Sequence, residues 1–211
     1  METSNKHLED ISEIRQLMER STKFLSLSGW SGVFAGLFAL MGAVAAYIYL
    51  GAGEISYDNR FQLLEAERSL SPQIFLLINA LAVLVLAVAS ALLFSYRKAT
   101  KAGEKFWSPV LKRLLFSLMV PLSAGGILSL IMMWQNHLDL VAPLTLIFYG
   151  IALVNAGRFV NKELVILGLA DIALGLAATI WQDMGLYFWA TGFGLFHIIY
   201  GATLYFKYDR I

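Results

Sequence analysis

The chain has 211 residues, 58% of them hydrophobic and only 15% charged, with a mean hydropathy of +0.67. Charged residues make up about a quarter of a typical soluble domain, so this composition excludes an ordinary soluble globule and points to a polytopic membrane protein. The absence of cysteine excludes disulfides, thiol catalysis and thiolate metal sites, and the formal net charge of +1 conceals an uneven distribution along the chain.

A cytoplasmic arm, 1–23, comes first, and residues 4–22 within it read as an amphipathic helix. Leu8, Ile11, Ile14 and Leu17 or Met18 recur at helical spacing, with Glu9, Asp10, Glu13, Glu19 and Arg20 largely elsewhere. Simple adsorption to anionic lipid calls for a polybasic face, so these acids leave the helix to cover the bundle or to dock a cytoplasmic protein partner. A transmembrane domain, 24–207, follows. It holds six apolar segments, 24–51, 72–96, 113–134, 139–157, 163–181 and 185–206. Each approaches or exceeds the ~20 residues that cross ~30 Å of hydrocarbon. The first is too long for a signal peptide and follows an acid-containing stretch.

The loop 52–71 carries Glu54, Asp58, Glu65 and Glu67, with a short helical run over 61–69 ahead of Pro72. The loop 97–112 is basic and contains Phe106, Trp107 and Pro109. Lysines beside a span attract anionic lipid and tryptophan prefers the interface, so this loop is expected at headgroup level, with no nucleic-acid partner. A tail, 208–211, ends the chain. Counted by loop, Lys6, Arg15, Arg20, Lys23, Arg97, Lys98, Lys101, Lys105, Lys112, Arg113, Arg158, Lys162, Lys207 and Arg210 lie on one side of the membrane. Only Arg60 and Arg68 lie on the other. The positive-inside rule then puts both termini in the cytoplasm.

Met133-Trp134-Gln135-Asn136 closes the third segment and Ile180-Trp181-Gln182-Asp183 the fifth, a weak internal repeat. Glycine pairs seven apart recur as Gly29/Gly36, Gly150/Gly157, Gly168/Gly175 and Gly194/Gly201. Together these features predict an all-α fold, a six-helix transmembrane bundle of three helical hairpins packed through small residues. Glycine stripes of this kind also predict a homo-oligomer. Over 167–210, LGLADIALGLAATIWQDMGLYFWATGFGLFHIIYGATLYFKYDR, and more faintly over 121–158, the chain resembles the HdeD-like acid-resistance membrane proteins, six-span chains of glycine-punctuated hairpins. The resemblance implies a small bacterial inner-membrane protein linked to acid stress, with no catalytic residues to carry over.

Two ionisable residues fall inside apolar segments. Asp171 is framed by Gly168 and Gly175, and His197 by Gly194 and Gly201, each at offsets of minus three and plus four. Those offsets share one helix face. At 1.5 Å per residue they lie ~10 Å and ~14 Å from the cytoplasmic ends of their segments, close enough in depth to meet across an antiparallel hairpin. An ionisable group at membrane depth is costly and marks a functional site by default. Two readings of an Asp171–His197 pair stay open: a proton relay or pH latch serving transport or sensing, and a hydrogen-bonded clasp fastening the last hairpin.

Gly29-Trp30-Ser31-Gly32 resembles the GxSG nucleophile motif of rhomboid intramembrane proteases. That resemblance implies Ser31 as nucleophile and His197 as base. Here the serine segment is the first of six, and the alternative is a small-residue interface in which Ser28, Gly32 and Gly36 fall four apart. No phosphate loop, dinucleotide motif or metal-ligand spacing is visible, so no cofactor and no metal are expected.

Overall fold

The computed structural model describes residues 27–50, 70–103 and 106–209. The amphipathic arm 4–22 and the short run 61–69 lie outside the described residues. All regular structure among them is helical, with no strand. The main helices are α1 (Gly29–Leu50), α2 (Pro72–Lys101), α3 (Pro109–Trp134), α4 (Val141–Gly157) and α5 (Lys162–Ile180). A last helical run follows, made of α6 (Gly185–Trp189), a π segment (Ala190–Phe196), α7 (His197–Leu204) and a second π segment (Tyr205–Asp209).

Local chemistry sets the boundaries. Ser71 caps α2 by accepting from the Ile74 N–H at 3.4 Å, and Pro72 opens the helix where a missing N–H costs nothing. Ser108 with Pro109 repeats the device at α3, and Asn161 caps α5 by accepting from the Leu164 N–H at 2.9 Å. Helix α2 runs on past residue 96, because Lys and Arg are good helix formers and cations in the last turn offset the helix dipole. Gly103, at φ +68°, follows the helix end in a conformation that a Cβ would disfavour. The basic loop is therefore shorter than 97–112, with its two ends wound into helices. Pro143 falls in the first turn of α4, where its missing N–H removes no hydrogen bond within the helix, whereas Pro121 stands inside α3. Helices α3 and α5 each reach a tryptophan, Trp134 or Trp181, followed by a 3₁₀ turn (Leu138–Leu140 and Gln182–Met184), and the two turns touch.

Five helices among the described residues are long and apolar enough to cross a membrane, counting the turn at Leu138 with α4. Large apolar side chains such as Leu84, Val85, Phe116 and Ile127 are exposed over much of their length. Exposed tryptophans sit toward both ends, Trp30 and Trp107 at one and Trp134 and Trp181 at the other, as the two bilayer interfaces favour. This is a multi-pass membrane protein.

The start of α1, the end of α2 and the end of the last run meet at one end. Asp209 accepts from the Gly29 N–H at 2.7 Å and from the Ser28 hydroxyl at 3.2 Å, and it pairs with Lys98 at 2.7 Å. Lys98 also donates to the Leu27 carbonyl at 2.9 Å. A carboxylate at a helix N-terminus satisfies orphan N–H groups and favours the dipole. Nearby, Lys207 pairs with Glu163 in the first turn of α5, and this hydrogen bond holds the Lys207 amine above its ordinary range. The main buried cluster lies toward the same end, where Leu111 and Leu114 meet Leu153, Ala156, Leu164 and Leu204.

Candidate functional site

Two antiparallel helix pairs frame the interior, and they use the same contact. Between α4 and α5, a Cβ built on Gly150 would lie 2.5 Å from the Gly168 carbonyl oxygen and 2.7 Å from Ile172 Cγ1. Between α1 and the last run, a Cβ on Gly36 would lie 2.5 Å from the Gly194 carbonyl oxygen and 2.7 Å from Ile198 Cγ1. Only glycine lets two backbones approach so closely, and dispersion over that close surface holds membrane helices together. Gly175 packs on Ile147 and Pro143, Gly157 on Val165, and Gly29 and Gly32 on Gly201. All nine of these glycines are buried within one chain. The stripes on which a homo-oligomer was expected are therefore consumed internally and offer no surface to a second copy. Helix α5 and the last run, consecutive in the chain, touch less extensively and leave a groove of about 330 Å³ beside Ile166, Phe196 and Ile199.

Asp171 and His197 hold equivalent places on the two pairs, one residue before Ile172 and Ile198. Both are buried, Asp171 completely. His197 has both ring nitrogens engaged: Nδ1 lies 2.9 Å from the Gly192 carbonyl and Nε2 lies 2.7 Å from the Tyr149 hydroxyl. A carbonyl only accepts, so Nδ1 carries a proton. In the neutral ring Nε2 then accepts from Tyr149, and in the charged ring it donates to it. The π segment makes this possible, because its wide turn brings the Gly192 carbonyl within reach of a ring five residues on. Phe193 stacks on the imidazole at 6.1 Å and lies tilted against Tyr149 at 4.8 Å.

Asp171 is placed beside the same glycine, for a Cβ on Gly192 would lie 2.8 Å from Asp171 Oδ1 and 2.5 Å from Leu146 Cδ2. Among the described residues neither carboxyl oxygen has a hydrogen-bond partner. The expected direct Asp171–His197 hydrogen bond is not formed. Gly192 stands between the two, its Cβ position facing the acid and its carbonyl bonded to the imidazole, and the histidine is already saturated by Tyr149.

The Ser31–His197 dyad is not assembled either. The Ser31 hydroxyl donates to the Ser28 carbonyl at 2.5 Å, and the face of α1 next to it, at Gly32, meets the backbone of His197 and Gly201. Most other intramembrane hydroxyls, Ser90, Ser123, Thr145, Thr179 and Thr191 among them, bond back to their own helices. Asn79 instead crosses to the Gly42 carbonyl at 3.0 Å, tying α2 to α1. Tyr149 and Gly192 are the members of the site that the sequence pattern passed over. Their signals were weak: a tyrosine next to one zipper glycine, and a third glycine five residues ahead of the histidine. No protein-family model, curated protein or solved structure matches the chain.

Proposed function

We propose that this chain is a non-enzymatic six-span bundle of three hairpins in a bacterial inner membrane, termini cytoplasmic, that binds and releases a proton at the Asp171–Gly192–His197 centre. The loop asymmetry in Lys and Arg supports the orientation, and so does the meeting of Lys98, Asp209 and the start of α1 at a single end. One observation carries the proton reading: Asp171 is fully buried and neither of its oxygens has a partner. A clasp would spend its carboxyl on hydrogen bonds, and this one spends none. A buried carboxylate without a partner costs several kcal/mol or more, on the order of what burying any lone ion costs, so adding or removing its charge changes the balance of the whole centre. Gly192 transmits that change, because it touches the acid and holds the imidazole through the π segment.

This suits pH sensing, with acid stress as the setting implied by the HdeD-like pattern, and the same proton exchange would serve proton-linked transport. The test is proton flux in proteoliposomes under an imposed pH gradient, together with hydrogen exchange over 190–197 at stepped pH. Flux lost in Asp171→Asn supports a relay. Absent flux, with pH-dependent exchange that Asp171→Asn abolishes, supports a sensor. If wild type and variant agree in both measurements, the centre is structural and the proposal fails.

A further inference from the structure

A second site lies apart from the proton centre, on the outer side of α3 and α4 near the basic end. It is a groove of about 570 Å³, within the roughly 300–1,000 Å³ that small-molecule sites occupy. Lys112, Arg113 and Arg158 line it together with Phe116, Val120 and Phe159. Among the described residues no acid lines it, and none of the three cations makes a hydrogen bond or ion pair.

The arrangement along α3 is graded. Lys112, Phe116 and Val120 succeed one another four apart, as do Arg113, Ser117 and Pro121, so both rows run down one face. From 112 to 121 the helix descends ~14 Å, about one leaflet of a ~30 Å hydrocarbon core. On α4, Asn155 lines the groove one turn in from Arg158. Charge thus stands toward the basic end, a neutral amide just below, and aromatic and aliphatic surface beyond. We infer that this groove binds one anionic phospholipid, its phosphate between Lys112, Arg113 and Arg158, its ester region by Asn155 and an acyl chain along Phe116 and Val120. A free phosphate or nucleotide would leave the apolar body unmatched, and a zwitterionic lipid would set its own cation against three others. The inference rests on the membrane reading but not on the proton chemistry.

The test uses the full chain in detergent, delipidated, with thermal unfolding and native mass spectrometry read against added phosphatidylglycerol, phosphatidylcholine or inorganic phosphate. Phosphatidylglycerol alone should raise the midpoint and appear as one retained lipid. Each cation removed should weaken binding about fivefold, so Lys112→Gln/Arg113→Gln/Arg158→Gln should lose on the order of 100-fold. Val120→Trp fills the body without touching the charges and should also abolish retention, whereas Lys101→Gln, an exposed cation outside the groove, should not. All of these positions are exposed, so the variants keep the core intact. Equal shifts from inorganic phosphate or phosphatidylcholine, or retention that survives Val120→Trp, would overturn the inference. Asp171→Asn should retain lipid normally, which separates this site's failure from that of the proton centre. A chain extracted from membranes without detergent would refute the membrane reading beneath both.

Discussion

The pair α4/α5 and the pair formed by α1 with the last run are built alike. Each is antiparallel, each brings a glycine Cβ position to 2.5 Å from a facing carbonyl, and each sets an isoleucine in the same relation to that glycine. They differ in the residue just before the isoleucine. His197 has a partner on each nitrogen, one supplied by a local change from α to π winding, while Asp171 has none. Identical close packing thus delivers two ionisable groups to the interior and satisfies only one. On the proposed reading the satisfied group is a fastener and the unsatisfied one the element able to respond, because a proton gained or lost there is not already balanced by fixed hydrogen bonds.

The sharpest way to break this comparison is to overfill both zippers. Gly150→Leu and Gly36→Leu each insert a side chain against facing backbone and should each cost ~3 kcal/mol or more, lowering Tm by about 10 °C in detergent. Unequal losses would show that the two pairs are not equivalent. Gly192→Ala comes next, at ~2 kcal/mol, since its methyl would meet Leu146 and Asp171. Pairing it with Asp171→Ala in a double-mutant cycle should recover ~1 kcal/mol, and strict additivity would mean that the glycine and the acid do not touch. Tyr149→Phe removes the hydroxyl from His197 Nε2 and should cost ~1–2 kcal/mol by thermal unfolding, with a smaller loss where His197 is replaced beforehand. The smallest stability effect belongs to Asp171→Asn. It should stay within ~1 kcal/mol because no hydrogen bond is lost, yet it should erase the pH dependence of exchange over 190–197. A large loss of stability there would make Asp171 a fastener too.

Much of the architecture was legible because membranes impose coarse rules. Helix existence followed from apolar length, and the interior acid and imidazole from their cost at depth. Boundaries were less legible. Lys98 and Lys101 read as loop but continue α2, because a cation that ends a hydrophobic segment does not end a helix. The glycine spacing marked close-packing faces but named no partner for them. A seven-residue glycine pair fits any other glycine pair, so sequence order suggested α5 with the last run and the stripes suggested a second copy as a further partner.

By itself the sequence determined an all-helical, multi-pass chain with charge concentrated at one end and two ionisable residues in its apolar segments. It could do so because hydropathy, charge and capping act within a few residues of one another. The tertiary structure alone decided that α4 zips to α5 and α1 to the last run, that Tyr149 and Gly192 take both nitrogens of His197, and that Asp171 is left without a partner. Those outcomes depend on which backbones approach within van der Waals contact and on a single wide π turn, and neither is encoded in any short stretch of chain.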